Sequence, residues 1–401
     1  MLPWIQVTLI LCAFGLLREI RPSEPFVSEF LLGEWRNITE EQLNRDVYPI
    51  GTYSYLGLLV VVFLITDFLR FKPVIVLSAV YAILLWTSSL EWLQASQFFY
   101  GLYMATEVAY YTYIYAKVEP AKYPRVSSYT RIAALSGRFV SGLSSQLLTH
   151  FGLMDYRDLN YITFTGMGIA IYFSCVKMVE SNRSVNRSIR SNIIEASKLI
   201  VRHARAAYTR PKVLAWSALY AAALALFVQA QIYVQLLWKQ IQEESNVAYN
   251  GAVEAVQTLL GACGAFLASI YASSGIPAPV AAVQGVAVFL GTFVNNVFVS
   301  YAGYIVMGML YHYTITLASA KIAGQLSDDS CFGLIFGINT LVGTGLQSIL
   351  TLVLIQTLML PIASQYYAIS GLFLLLASIW LLGWMVNVCR QKQNININNQ
   401  Y

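Results

Sequence analysis

The chain predicts an all-α polytopic membrane protein with twelve transmembrane helices in a 6+6 arrangement. Three observations predict it. First, 57% of its 401 residues are hydrophobic and only 11% are charged, where soluble domains carry about 25% charged residues. Second, the apolar residues form long continuous runs without the alternation of a β-barrel, so the spans are helical. Third, the longest polar stretch follows the sixth run and holds Lys177, Arg183, Arg187, Arg190, Lys198, Arg202, Arg205, Arg210 and Lys212 against only Glu180 and Glu195. The chain thus divides into a six-helix bundle over 1–178, a basic linker over 179–212, a second bundle over 213–388 and a tail over 389–401.

Span 1 covers about Leu2 to Ile20 and runs into Arg21-Pro22-Ser23-Glu24-Pro25-Phe26. Two prolines three apart interrupt the helix there. Such a break is either a helix end at the interface or a break at membrane depth, which is tolerated only inside protein or along a cavity. A polar loop from Glu34 to Asp46 follows, with the glycosylation sequon Asn37-Ile38-Thr39. Spans 2 to 6 are expected near Pro49–Phe68, Val74–Leu90, Ala95–Tyr115, Ile132–Thr149 and Asn160–Met178. Within the linker, the partly amphipathic stretch 193–207 suits either a surface helix on the inner leaflet or a solvated hinge. Spans 7 to 12 are expected near Val213–Trp238, Val247–Tyr271, Pro277–Val299, Tyr301–Ile322, Phe332–Ile355 and Ser364–Val388. The basic residues gather in the links after spans 2, 4 and 6 and in the tail, so both termini are expected to be cytoplasmic. That places Asn37 outside, and it gives the net charge of +5 to membrane topology rather than to nucleic-acid binding.

One stretch of span 4 carries the functional signal. On a helix, Gln97, Tyr100, Met104, Glu107 and Tyr111 fall within an arc of roughly 80°. A carboxylate facing lipid would cost about 2.5 kcal/mol or more, so this face is expected to point at protein or at a water-filled path. In span 7, Gln231 and Gln235 lie one turn apart and suit a cavity wall. Enzyme chemistry finds no support: there is no G-x-x-x-x-G-K phosphate loop, His150, His203 and His312 do not cluster for a metal, and no nucleophile elbow appears. No cofactor and no metal are expected.

The link Asp67-x-x-Arg70-x-Lys72-Pro73 is similar to the acidic-basic signature between spans 2 and 3 of the major facilitator superfamily, where the charges latch two bundles. A narrower resemblance rests on Arg21-Pro22-Ser23-Glu24-Pro25-Phe26, Thr52-Tyr53-Ser54-Tyr55-Leu56, Phe71-Lys72-Pro73-Val74, the run from Glu107 to Tyr115, Tyr249-Asn250-Gly251-Ala252-Val253-Glu254-Ala255 and Phe336-Gly337-Ile338-Asn339-Thr340. Through these the chain resembles solute carrier family nineteen, the reduced folate carriers and thiamine transporters. The resemblance implies uptake of a water-soluble vitamin by alternating access across the plasma membrane, and the coupling is left open between a proton, an organic anion and none.

The folate carriers of that family place basic residues in spans 4, 10 and 11. At the matching positions this chain has Glu107, Gly308 and Gln347. Glu24, Tyr100 and Glu107 match the thiamine branch, so thiamine or a related organic cation is the expected substrate, with reduced folate or another organic anion as the alternative and a non-transporting vitamin receptor as a distant third. The departures are Gln97 at a pocket carboxylate, Gly51 and Tyr48 at pocket aromatics, Arg138 at a tyrosine and Ile232 at an asparagine. Arg138 is expected either to face an anionic ligand or to pair with Glu107 or Glu24. The expected substrate-binding residues are Glu24, Tyr48, Trp86, Gln97, Tyr100, Glu107, Arg138, Gln231 and Glu254, with Asp67, Arg70 and Lys72 for gating.

Overall fold

The computed structural model describes residues 3–33, 36, 38–64, 80, 83–117, 123–178, 202, 204–242, 248–271, 276–326 and 332–398. These residues are helical almost throughout, as continuous apolar runs require when their backbone groups cannot bond water. The long helices are α1 (Pro3–Glu19), α2 (Tyr48–Leu64), α3 (Leu90–Lys117), α4 (Tyr123–His150), α5 (Leu159–Met178), α6 (Pro211–Ile241), α7 (Asn250–Ile270), α8 (Pro277–Phe293), α9 (Val297–Ala323), α10 (Phe332–Leu350) and α11 (Ile362–Asn398). Among the described residues, four segments are long and apolar enough to cross a bilayer on length and composition: Pro211–Ile241, Asn250–Ala268, Leu334–Thr357 and Ile362–Val386. The Asp67, Arg70 and Lys72 link, the Asn37 sequon and most of the 179–212 linker lie outside the described residues.

Several boundaries differ from expectation for local reasons. Helix α4 begins at Tyr123 rather than near residue 132, so the basic link is partly helical. Val299 belongs to α9, not to the span before it. Asn296 caps that helix, its side-chain oxygen accepting from the Phe298 N–H at 2.9 Å, which is the ordinary way to satisfy an orphan helical donor. Helix α11 continues through the expected tail to Asn398.

Helices α1 to α5 pack together, as do α6 to α11, and the two groups meet along α4 against α7 and α2 against α10. The meeting points cluster at one end of the bundle, where α1 breaks. There the Gln146 amide donates to the Ala248 carbonyl at 3.2 Å and accepts from the Ala252 N–H at 3.2 Å. Tyr53 donates to Gln356 at 2.8 Å, Gln347 to Thr52 at 3.3 Å, and Arg45 to the Met359 carbonyl at 3.0 Å. The closest approach is the crossing of Gly142 with Gly251. A Cβ at Gly142 would stand 2.7 Å from the Gly251 carbonyl oxygen and 2.9 Å from the Ala255 nitrogen. Only a residue without Cβ lets two backbones come so near.

The same end is braced by arginines in its loops. Arg36 donates to the carbonyls of Leu84 at 2.6 Å and Thr87 at 2.8 Å, and Arg157 to that of Leu85 at 3.1 Å. These carbonyls close the helical stretch 83–86, whose last acceptors have no intrahelical donors. Burial first, and the neighbouring Arg157 charge second, hold the Arg36 guanidinium down at about 10. Arg36→Ala strips both carbonyls of a charged donor. It is expected to cost about 1–3 kcal/mol, read as a lower melting temperature of purified protein in detergent; an unchanged melting temperature would contradict this bracing role.

Candidate functional site

The break in α1 builds the site. The helix ends at Glu19, a 3-10 turn follows at Glu24–Phe26, and a five-residue helix at Val27–Leu31. Proline at 22 and 25 cannot donate to preceding turns, so the freed backbone needs other partners. It finds them inside protein: the Arg21 N–H donates to the Ser141 hydroxyl at 3.0 Å, the Ser23 N–H to Thr163 at 3.4 Å and the Ser28 N–H to Gln235 at 3.0 Å. Phe26, Ser28 and Leu31 are fully buried. The break is thus packed inside protein, which suits either reading of the prolines.

An ionic network grows from this break. Glu19 is buried, and it accepts from Arg138 Nε at 2.7 Å and from Arg21 Nη2 at 2.9 Å; Arg18 stands 3.7 Å away. Arg21 reaches onward to Glu24 at 2.5 Å. Tyr100 donates to the same Glu24 oxygen at 3.1 Å. Arg18 hydrogen-bonds the Tyr103 hydroxyl and lies over that ring at 4.5 Å, with Arg21 at 5.5 Å. Buried charges persist only when paired, and here each carboxylate has its guanidinium.

The second half faces this network. The Gln235 amide donates to the Glu24 carbonyl at 2.9 Å. Half-buried Glu254 accepts from the Tyr304 hydroxyl at 2.8 Å, and Gln231 also bonds Tyr304. Glu254 lies within electrostatic range of Arg138 and Glu24, and Tyr311 and His312 within range of Arg138 and Arg131. Acidic, basic and phenolic groups from both halves therefore converge beside the break.

The expected residues separate as follows. Glu24, Tyr100 and Arg138 join one network, and Glu254 with Gln231 faces it. Tyr48 bonds Ser28 at 2.7 Å and meets the Tyr233 ring edge-on at 5.6 Å, so it packs between the halves beside the break. Gln97 lies against Gly51, where a Cβ would stand 2.8 Å from its amide oxygen; the glycine at an expected aromatic position makes room for this amide. Trp86 is the exception. It is 61% exposed and meets Phe164 edge-on at 5.8 Å, an exposure that suits either a stacking wall or an interfacial belt. Glu107 stands on α3, but its side chain lies outside the described residues. Arg138 pairs with Glu19, a partner the sequence reading did not name. Arg18, Glu19 and Tyr103 were also missed. The available signal was a charged pair closing an apolar helix, which reads equally well as an ordinary interfacial end.

The two remaining positions of the folate-type basic set are occupied by neutral packing. At Gly308 a Cβ would fall 2.1 Å from the Gln257 amide nitrogen, so that side chain fills the space. Gln347 is buried and bonded to Thr52.

A broken first helix, a polar site between two helical groups and closure at one end define a membrane carrier. Its fold is that of the major facilitator transporters: a POT family transporter crystallised in meso superposes with a TM-score of 0.67 at 13% identity, covering 95% of this chain and 98% of that one. A human organic anion transporter superposes at 0.60 with 13% identity, covering 95% of this chain and 100% of that one. The chain belongs to the reduced folate carrier family, whose model matches residues 3–188 and 176–368. Folate transporter 1 of Caenorhabditis elegans is 34% identical, with 98% of this chain and 94% of that protein covered. Human thiamine transporter 1 is 31% identical over 99% and 93%, and human reduced folate transporter 31% over 97% and 74%. Membership makes the chain a transporter in a membrane and not an enzyme.

Proposed function

We propose that the protein takes up a water-soluble vitamin across the plasma membrane by alternating access, and that the vitamin is thiamine or a related organic cation. The observation that carries the choice is the charge of the site. Glu24 and Glu254 face it from opposite halves, while the positions matching two folate-type basic residues are a glycine filled by Gln257 and a neutral, buried Gln347. A pocket binds best what complements its charge. Tyr100 supplies an aromatic face for a cationic ring, a contact worth about 0.5–2 kcal/mol.

In this reading twelve spans form two bundles with both termini in the cytoplasm, and Asn37 is the external glycosylation site. The end where Gly142 meets Gly251 is then extracellular. Asp67, Arg70 and Lys72 form the inner latch, Glu107 adds to the cation site, and a proton or an organic anion is the coupling ion.

A second reading has two observations in its favour. Arg138 keeps 39% of its side chain exposed, and 34% identity relates the chain to a folate transporter; a folate or other organic anion would then dock on that guanidinium. Uptake of labelled thiamine and labelled folate by cells expressing the protein separates the two. Thiamine is expected to accumulate, Glu107→Gln to cripple cation uptake, and Arg138→Ala to cripple any anion uptake. Folate accumulation lost with Arg138→Ala, and thiamine ignored, would overturn the assignment.

A further inference from the structure

Two segments of π-helix lie at the end where the halves meet, and they pack against each other. Leu43–Val47 leads into α2, and Thr351–Thr357 continues α10. π turns are rare, mostly come singly and are frequent at functional sites. A run from Thr351 to Thr357 is longer than that, and its wide turn persists to the end. The Leu358 N–H donates to the Val353 carbonyl at 2.9 Å and the Leu360 N–H to the Leu354 carbonyl at 3.0 Å. Between them Met359 takes a φ of +48°, and among the described residues it is the one non-glycine with positive φ. That region disfavours a residue with a Cβ by about fivefold to thirtyfold, and glycine is the usual residue there at a helix end. Met359 is 56% exposed, so burial of its side chain does little to offset the backbone cost.

What holds Met359 comes from the other half. Arg45, on the first π segment, donates from Nη2 to the Met359 carbonyl at 3.0 Å. A cation is thereby set at the C-terminal end of the second segment, where the aligned carbonyls favour it. Early in α2, Tyr53 donates to Gln356 of the same segment at 2.8 Å. The start of that segment is tied within its own half, since Thr351 donates to Gln229 at 2.9 Å. Of these bonds, only those from Arg45 and Tyr53 cross between the halves. Parting the halves removes both and leaves the cost at Met359 with nothing across the interface to offset it. A return of the π run to α geometry then relieves the turn. A carrier needs its two states near balance, and here a contact that holds faces a backbone that resists.

We propose that Arg45, Tyr53, Gln356 and Met359 form a strained clasp between the halves, in which the positive-φ turn at Met359 opposes the Arg45 contact and so sets how often this end opens, whichever vitamin is carried.

Full-length protein with its five native cysteines replaced by serine is labelled with spin probes at Glu40→Cys in the first half and Tyr367→Cys on α11, both exposed positions. Double electron–electron resonance then reads the populations of near and far separations. Met359→Gly is expected to raise the near population relative to the far by about fivefold or more. Arg45→Ala is expected to lower it by about fivefold, the loss of one hydrogen bond. Arg45→Ala with Met359→Gly should fall between the two. If the labelled protein does not fold, uptake decides, measured on the chain with its native cysteines and with labelled thiamine or folate, whichever wild type accumulates. With this end extracellular, as read above, Met359→Gly is expected to raise the external KM and Arg45→Ala to lower it, because only the fraction open outward binds. Shifts of the same sign in the two variants, or no shift with Met359→Gly, would overturn the clasp. Opposite shifts in the separations, with KM changes of reversed sign, would support the clasp and overturn the extracellular placing of this end. If wild type accumulates neither vitamin, the separations alone decide on the clasp, and it is the vitamin reading that fails.

Discussion

Gly251→Val is expected to abolish net uptake. Helices α4 and α7 cross at Gly142 and Gly251 so closely that a Cβ on Gly251 would lie 2.5 Å from the Ser145 hydroxyl, 2.7 Å from the Gly142 carbonyl oxygen and 3.0 Å from the Gln146 nitrogen. Two of those three are backbone atoms, which cannot swing aside. The helices would have to part, and with them the Gln146 bonds to Ala248 and Ala252. Overpacking of this kind costs about 1–3 kcal/mol for each inserted group. A penalty of about 3 kcal/mol shifts a two-state equilibrium more than a hundredfold away from the closed end. Alternating access needs that end to close in every cycle, so the variant should bind ligand from one side and fail to deliver it. Uptake per molecule at the membrane surface checks this; a wild-type rate would show that the crossing is not part of the cycle.

Glu24→Gln is expected to have the next largest effect. Glu24 takes Arg21 at 2.5 Å and the Tyr100 hydroxyl at 3.1 Å, and its side chain still reaches the open volume. The amide keeps the size and loses the charge. Arg21 would then keep Glu19 as its carboxylate partner but lose the second, and the site would lose its attraction for a cation. Losing one charge-assisted contact costs about 1.5–3 kcal/mol, so cation uptake should fall by about tenfold to a hundredfold in kcat/KM. Tyr100→Phe deletes only the neutral donor and is expected to cost about 1 kcal/mol, or roughly a fivefold loss. Similar losses for the two variants would mean that the charge of Glu24 is not what holds the ligand.

The helical class was legible because it depends only on run length and charge content, which backbone hydrogen bonding in lipid enforces. The break in α1 was legible as a break, from Pro22 and Pro25, but its depth was not. Depth depends on whether Ser141 and Thr163, more than a hundred residues on, arrive to take the freed N–H groups. The site was half visible for the same reason. Glu24, Tyr100 and Arg138 came chiefly from the resemblance to solute carrier family nineteen, which matches pocket positions one by one. Glu19 did not stand out, since a charge at the end of an apolar helix is what an interface also produces; only the arrival of Arg138 from α4 makes it an interior residue. Trp86 suits a stacking wall and an interfacial belt equally, and its exposure fits both. Helix ends followed local capping: Asn296 moved a boundary by its own side-chain bond, which hydropathy does not register.

The central claim is that a cationic vitamin binds beside the broken first helix, with Glu24 as its counter-charge. The most direct measurement is calorimetric titration of thiamine into purified full-length protein, wild type and Glu24→Gln, at matched folding quality. The account predicts saturable binding to wild type that weakens by about tenfold to a hundredfold in Glu24→Gln. Equal affinity in the two proteins, or no thiamine binding to a wild type that binds folate, would contradict it.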